Sequence, residues 1–457
     1  MKKHWTKLTA VLLALTLFLG ACAAPAPMQA PQPTAAPTEA APAEKPTEAT
    51  AAQPAAPAAK TKIVFWRSLT GAAGEIQDEL VQQFNASQNE VEVEVQFQGA
   101  YGELLQKLQA ALIAGTVPDL VQLDSPFVVL FAKNGALVPL ESFVNDAANG
   151  VDLKDYVEGF VADGYYDGKL YSMPYMRSTP LLYYNKAMFA EAGLPDKAPE
   201  TWDEFVQFSE KLTKIEGDKP VQQGVSFTMT TTTAHWYLQA LIYAYGGQVS
   251  DAEFNLHLSK PEAEQALQVW QDMIFKSKTG KAGVDQDGAQ GDFLAKRVAM
   301  TFGSTGSMAN LMSKADFEVG TGMIPGQVKK EVPVGGSVIA MTSKDTAKQA
   351  ATWKLMKFLT SPSSIAQIVV KTGYLPISQS AKDTAEVKEY YAKVPQRAAA
   401  LEQLQFARPQ ASVISLAGGT EILRILVEET LVANMPIHDA MLKAETALKT
   451  EYEENFK

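Results

Sequence analysis

Four histidines and a single cysteine are all that this 457-residue chain offers for metal or thiol chemistry. His4, His235, His257 and His438 are too scattered in sequence to suggest a local metal site. His257, in N-L-H-L-S, reads as a surface strand residue. The lone Cys22 rules out an internal disulfide and a Cys–His nucleophile. No H-E-x-x-H, paired-cysteine cluster or G-x-S-x-G elbow occurs. Carboxylates are plentiful, so composition leaves a carboxylate-pair hydrolase open. No acidic pair, however, lies in a loop signature that would single it out. The residues present suit holding a polar solute better than transforming it, and no cofactor is implied.

Gly303-Ser304-Thr305-Gly306-Ser307 lies between an expected strand, 298–302, and a helix-like stretch, 308–312. Such a segment turns free amide donors toward a ligand oxygen or anion, or is simply a tight turn. It is not a nucleotide phosphate loop, because no Gly-Lys-Ser/Thr follows. Trp236 opens a helix after a polar strand end, where its ring either reaches a cleft or packs. Tyr374, in T-G-Y-L-P-I, reads as an exposed aromatic. Arg424 stands among Ile422, Leu423, Ile425 and Leu426 and needs a partner or a solvent-filled cleft. Glu428, four residues on, is the bland partner.

These residues need elements to position them. Lys62–Trp66 reads as a strand, 75–85 as a helix, and V-E-V-E-V-Q-F-Q at 91–98 as a half-buried strand. A helix over 101–114, a strand over 120–123 and a helix closing at Asn134-Gly135 complete a β-α-β-α-β-α order. That order predicts an α/β lobe with a largely parallel sheet, whose ligands bind beyond the strand C-termini. Trp66 with Ser68, Tyr101, and Asp124 with Ser125 occupy such ends. Trp66 is equally a core residue, and Asp124 a helix cap. Y-D-G-K at 166–169 signals a hairpin. The stretch 170–186 then contains a buried strand, Leu181–Tyr184. Pro174 and Pro180 should not sit inside a central strand, so Ser178 and Thr179 read as a short polar approach to it. Thr201 and Glu204 form a capping box, helices follow over 237–245 and 262–275, and two amphipathic helices separated at Pro436 end the chain.

Lys2, Lys3 and Lys7, an apolar run 10–20 and Leu19-Gly20-Ala21-Cys22 have the form of a bacterial lipoprotein signal. Residues 1–21 read as the signal peptide, with Cys22 lipidated. Residues 22–60, rich in Ala, Pro and Thr, read as a disordered tether, with a reach of roughly 100 Å. Loss of three lysines takes the formal charge from −11 to −14. An acidic chain of this kind is a poor nucleic-acid partner. The folded part divides into 61–172 as the first part of lobe 1, 173–330 as mainly lobe 2, and 331–457 as return segments to both lobes with C-terminal helices.

From Lys62 nearly to its end the chain resembles the extracellular solute-binding proteins of bacterial ABC importers, in particular the glycerol-3-phosphate binders of that sugar-uptake family. F-W-R-S-L-T-G at 65–71, Q-G-A-Y at 98–101, S-T-P-L-L-Y-Y-N-K at 178–186, G-S-T-G-S-M-A-N at 303–310, G-G-S at 335–337, K-T-G-Y-L-P-I at 371–377 and L-R-I-L-V-E-E at 423–429 carry the likeness. The resemblance implies a two-lobe, maltose-binding-like α/β fold with an interlobe hinge. It also implies ABC permease subunits as partners of a monomer, which the lipidated Cys22 would anchor at the outer face of the cytoplasmic membrane. It places Tyr101, Ser178, Trp236, Ser304, Gly306, Gly336, Tyr374 and Arg424 around the cleft. In it, Arg424 and Tyr374 would meet a phosphate, and Trp236 would pack on the solute's carbons. Asp124-Ser125 departs from a Tyr-Glu pair, and Arg177 replaces a small polar residue. Aliphatic residues and Ala340 replace an aromatic in the strand after the Gly-Gly pair. Arg177 could favour an anion, pair with Asp124, or join Asp124 on a sugar's hydroxyls. An exported carbohydrate-active enzyme and a structural surface lipoprotein are the rival readings.

Overall fold

In Val91–Phe97 the sequence pattern passes directly into structure: Val91 and Val93 are buried while Glu92 and Glu94 face solvent. The structure, a computed structural model, describes residues 59–457 apart from Thr232. The expected signal peptide, Cys22 and nearly all of the tether lie outside the described residues.

Among the described residues, ten strands form the main paths of two sheets. They are β1 (Thr61–Arg67), β2 (Val91–Phe97), β3 (Leu120–Asp124), β4 (Ser172–Ser178), β5 (Pro180–Asn185), β6 (Lys219–Thr228), β7 (Gly280–Val284), β8 (Val298–Ser304), β9 (Val319–Gly322) and β10 (Gly335–Met341). The first sheet has the order β2-β1-β3-β10-β4, and the second β7-β6-β8-β5-β9, with Lys214–Glu216 added alongside β6. Within the first, β1 pairs parallel with β2 and β3, and β10 runs antiparallel to β3 and β4. In the second, β6 pairs parallel with β7 and β8, and β5 runs antiparallel to β8 and β9. Helices cover both sheets, giving the two-lobe α/β fold.

The chain passes between sheets at Thr179, between β4 and β5, and again between Gly322 and Gly335. It crosses a third time after Pro362–Thr372, which packs on Gly71–Ser87, to reach Gly419–Leu431, which packs on Ala234–Ala244. The expected polar approach between the two prolines is corrected here. Residues 172–178 form a complete, buried strand, so the stretch 170–186 supplies one strand to each sheet. The proline argument still holds in altered form. Pro174 sits in an edge strand beside a register shift at Gly336/Val338, and Pro180 is the first residue of its strand.

Asp167 and Gly168 take φ of 48° and 70°, the left-handed pair a tight hairpin requires. Thr201 Oγ1 accepts the Glu204 amide at 3.1 Å, while Glu204 reaches back to the Glu200 amide at 2.7 Å. Under the second sheet, Trp202, Phe205, Phe227, Trp270 and Phe302 form one aromatic cluster, with Phe227 and Trp270 centroids 4.7 Å apart. Burying each ring contributes about 1.5–3 kcal/mol. Helix Ala234–Ala244 is buried on every side, which explains its almost unbroken apolar and aromatic composition.

Candidate functional site

The register of β10 against its two neighbours assembles one end of the first sheet. Ser337 pairs with Asp124 of β3, Gly336 with Arg177 of β4, and Gly335 with Ser178. Gly336 has φ +84°, and a Cβ there would lie 2.0 Å from the Met176 carbonyl oxygen, so no other residue fits. Its own carbonyl accepts from the Ser125 amide at 3.3 Å and from Arg177 Nη1 at 3.2 Å. The Arg177 carbonyl accepts the Leu375 amide at 2.8 Å, which draws Tyr374 to the same place. Tyr101, at the start of the helix after β2, lies beside Ser337 and Tyr374.

The second lobe meets this end with rings and glycines. Trp236 lies so near Gly335 that a Cβ on the glycine would fall 2.5 Å from the indole. Tyr374, in turn, covers Gly306, whose amide donates to Ser304 Oγ at 3.1 Å. The Ser304 carbonyl accepts the Tyr183 hydroxyl at 2.7 Å, and the Thr305 amide donates to the Thr179 carbonyl at 3.0 Å. Thus the 303–307 loop is fastened to the strand crossing.

Four polar atoms beside Gly335–Ser337 are buried and make no hydrogen bond: the Tyr101 hydroxyl, Ser125 Oγ, Arg177 Nε and Trp236 Nε1. Such atoms occur elsewhere among the described residues too, but these four converge on one sheet end, and each costs about 1–3 kcal/mol unless a ligand or water meets it. Burial pushes the Asp124 carboxyl up to about 7; nearby Arg177 and the Ser125 amide oppose this, and Asp163 adds to it. Burial also raises the Tyr101 and Tyr374 hydroxyls. Arg177 is fully buried. Its guanidinium pairs with Asp163 and stands 5.3 Å from the Phe160 ring. Behind the site Gln122 accepts from the Ser68 amide at 2.9 Å and donates to Ser337 Oγ at 2.7 Å.

The structure therefore brings together Tyr101, Asp124, Ser125, Arg177, Ser178, Trp236, Ser304, Gly306, Gly336 and Tyr374. Two expected residues are engaged by other partners. Trp66 donates from Nε1 to Gln96 at 2.8 Å and packs against the Leu104–Leu108 face of the first lobe. Arg424 forms a fork with Glu421 at 2.6 and 2.7 Å and pairs with Glu428 at 2.5 Å, so its guanidinium is satisfied on its own helix. Two further expectations are corrected. Tyr374 is only 8% exposed, because the second lobe lies over it. Arg177 takes Asp163, not Asp124, as its ion-pair partner. Asp163, Gln122 and Ser337 escaped the sequence reading. Gln122 had a signal, as a polar residue inside the buried strand L-V-Q-L-D, and so did Ser337, in the G-G-S stretch.

Surface hollows of about 450 and 400 Å³ lie by Tyr184, Asp196 and Thr321, and by Arg67, Asp78 and Phe97. Neither reaches Tyr101, Asp124 or Tyr374, which lie under the contact between lobes. Among the described residues no group of three or more His, Cys, Asp and Glu could hold a metal, and no helix is long and apolar enough to cross a membrane.

Two sheets joined by crossing strands, with a buried polar cluster where the lobes meet, define a protein that closes around a small solute. The chain belongs to the bacterial extracellular solute-binding protein family, whose model matches residues 79–396. It is 29% identical over 393 residues to the sn-glycerol-3-phosphate-binding periplasmic protein UgpB of Escherichia coli K12, covering 82% of this chain and 87% of that one. The crystal structure of UgpB from Mycobacterium tuberculosis in complex with glycerophosphocholine superposes with a TM-score of 0.80 at 30% identity, covering 87% of this chain and all of the other. Maltose-bound MalE3 of T. maritima shares the fold, at a TM-score of 0.75 and 23% identity, over 85% of this chain and 99% of that one.

Proposed function

We propose that this protein is the solute-capturing component of an ABC importer. It takes a small hydroxylated solute of the glycerophosphate type between its lobes and delivers it to the permease. The observation that carries this reading is the set of four unpartnered buried polar atoms around Gly335–Ser337. A solute's oxygens would supply the missing acceptors and donors, and the Trp236, Tyr101 and Tyr374 rings would cover its carbons. The solute shifts the open–closed equilibrium only by binding the closed form better, which contacts from both lobes achieve.

Charge narrows the solute class. Asp163 offsets Arg177, and two glutamates hold Arg424. A phosphate monoester dianion would thus enter a cluster without an uncompensated cation among the described residues. A glycerophosphodiester with a cationic head group would instead set that group against Asp124 and the rings. The complex of the mycobacterial relative with glycerophosphocholine supports this choice. Calorimetry of the purified protein with glycerophosphocholine, glycerol-3-phosphate and maltose tests it. We expect glycerophosphocholine to bind at least tenfold more tightly than the other two. Tighter binding of glycerol-3-phosphate would overturn the diester assignment, and no saturable heat with any of them would overturn the solute-trap reading.

The finer placement rests on the first residues of the sequence. The basic, apolar and Leu-Gly-Ala-Cys succession supports export, lipidation of Cys22 and anchoring at the outer face of the cytoplasmic membrane. Mass spectrometry of the membrane-extracted protein checks this: an unmodified Cys22, or a mature N-terminus elsewhere, removes the anchor from the account. We read the protein as a binder, not a catalyst, and recovery of unchanged solute after long incubation is the matching expectation.

A further inference from the structure

Asp163 follows the short helix Glu158–Ala162 and precedes the hairpin that leads into β4. Its side chain is 12% exposed and meets a guanidinium that is fully buried. Arg177 holds three segments of the site at once. Through Nη1 it binds the Gly336 carbonyl, the same oxygen that takes the Ser125 amide. Its backbone carbonyl, which the guanidinium does not steer, takes the Leu375 amide next to Tyr374. A planar guanidinium carries several donors in a fixed fork, so the partner on one side fixes where the other side points. The Phe160 face limits the rotation that remains.

We infer that Asp163 is a positioning residue for the solute site: by pairing with Arg177 it fixes the 335–337 and 124–125 segments and leaves Asp124 as the site's uncompensated charge. Arg177 on this account acts as a brace, not as the anion-binding residue that its departure from the resembling family first suggests. The inference rests on the solute-trap reading for its consequence in binding, but its structural content can be tested without any solute.

The same geometry has an electrostatic signature. The groups that face Asp124 are Arg177, Asp163, the Tyr101 and Tyr374 hydroxyls and the Ser125 amide. Arg177 holds the Asp124 carboxyl down and Asp163 pushes it up. Asp163→Asn should therefore lower the Asp124 midpoint, and Arg177→Met should raise it. These opposed shifts report the two charges beside Asp124, and the Ser125 amide reports whether the pair positions the backbone.

The experiment follows the Asp124 carboxyl by carbon NMR across pH in the solute-free protein. Amide exchange at Ser125 and Leu375 is measured alongside, in wild type, Asp163→Asn, Arg177→Met and Arg177→Lys. We expect midpoints displaced in opposite directions by Asp163→Asn and Arg177→Met, and exchange at the Ser125 amide at least tenfold faster in each, with the Leu375 amide, held by the Arg177 backbone carbonyl, as the unchanged internal control. Arg177→Lys, which keeps the charge and loses the fork, should hold the midpoint near wild type while Ser125 exchange stays fast. If the wild type binds glycerophosphocholine, Asp163→Asn should weaken that binding at least tenfold. Unmoved midpoints, displacements of the same sign, or a wild-type Ser125 exchange rate in folded Asp163→Asn would each overturn the inference. A wild type that binds nothing, with the opposed midpoints and the faster Ser125 exchange both seen in the variants, leaves the brace standing and removes only the solute reading.

Discussion

The Tyr374 ring lies so close over Gly306 that a Cβ on the glycine would stand 2.7 Å from the ring's Cζ. The contact joins the loop after β8 in the second lobe to a residue held by β4 in the first. Trp236 and Gly335 make the reciprocal contact, with the ring on the second lobe and the glycine on the first. Gly306 has no left-handed φ, so alanine strains nothing in its own backbone. Gly306→Ala should therefore leave each lobe intact and prevent the two from closing fully. We expect solute affinity to fall at least tenfold, with the solute-free thermal midpoint almost unchanged. Calorimetry and small-angle scattering would check it. A variant that compacts on adding solute as the wild type does would refute this view of closure.

The pH response follows from Asp124, raised to about 7. The folded protein holds that proton more tightly than the unfolded chain, so the group's contribution to stability is full at acid pH. It is lost as pH rises from about 4 to about 7. Across roughly three pH units the loss is at most about 4 kcal/mol. Binding of a cationic head group has the opposite sign, because it needs the carboxylate. Affinity for glycerophosphocholine should rise about tenfold between pH 6 and pH 8, as the ionised fraction does. Asp124→Asn should abolish that rise and flatten the stability curve over the same window. A wild-type affinity independent of pH across the window would remove Asp124 from direct contact with a charged solute.

Gln403 ties two of the crossing strands together. Its Nε2 donates to Thr179 Oγ1 at 2.9 Å and to the Pro180 carbonyl, and its Oε1 accepts the Ile324 amide at 2.7 Å. It is 1% exposed, so water cannot replace these bonds. Gln403→Leu keeps the bulk and loses every bond, leaving the Ile324 amide and the Thr179 hydroxyl buried without partners. Stability to urea should drop by about 2–4 kcal/mol. The spread of interlobe distances between labels on the two lobes should widen. An unchanged distance distribution would mean that the hinge draws its stiffness from the strands alone.

Much of this architecture is legible in the sequence, for reasons that differ by residue. The helix over 101–114 is found at its expected bounds, because Leu104, Leu105 and Leu108 repeat at helical spacing and Gly115 closes it with φ +69°. Tyr101, Asp124 and Ser125 are legible because the ends of parallel strands are where such folds place ligands. The strand Ser172–Ser178 is hidden by Pro174, whose missing donor does no harm at an edge beside a register shift. Val319–Gly322, V-G-T-G, has too few apolar residues to show a period, and its glycines accommodate the Tyr184 ring and the Ala198 methyl. Asp163 carries no sequence signal, because its link to Arg177 depends on the hairpin that folds the intervening residues back.

Arg424 finds local partners for its charge. Its apolar neighbours make the guanidinium look isolated, yet Glu421 and Glu428 sit three and four residues away, on the same helical face. Both pairs are made, and Arg424 is held further above its usual range by the Glu421 hydrogen bonds first, then by those of Glu428. The side chain is still 19% exposed, and its partners are more so, so the pairs are screened by solvent and contribute little. Arg424→Ala should lower stability by no more than about 1 kcal/mol. It should leave the affinity for glycerophosphocholine within twofold of wild type, while Asp124→Asn changes it at pH 8. Calorimetry on the two variants side by side decides the matter. A tenfold loss in Arg424→Ala with the fold intact would return this residue to the solute site and with it the case for a phosphate monoester.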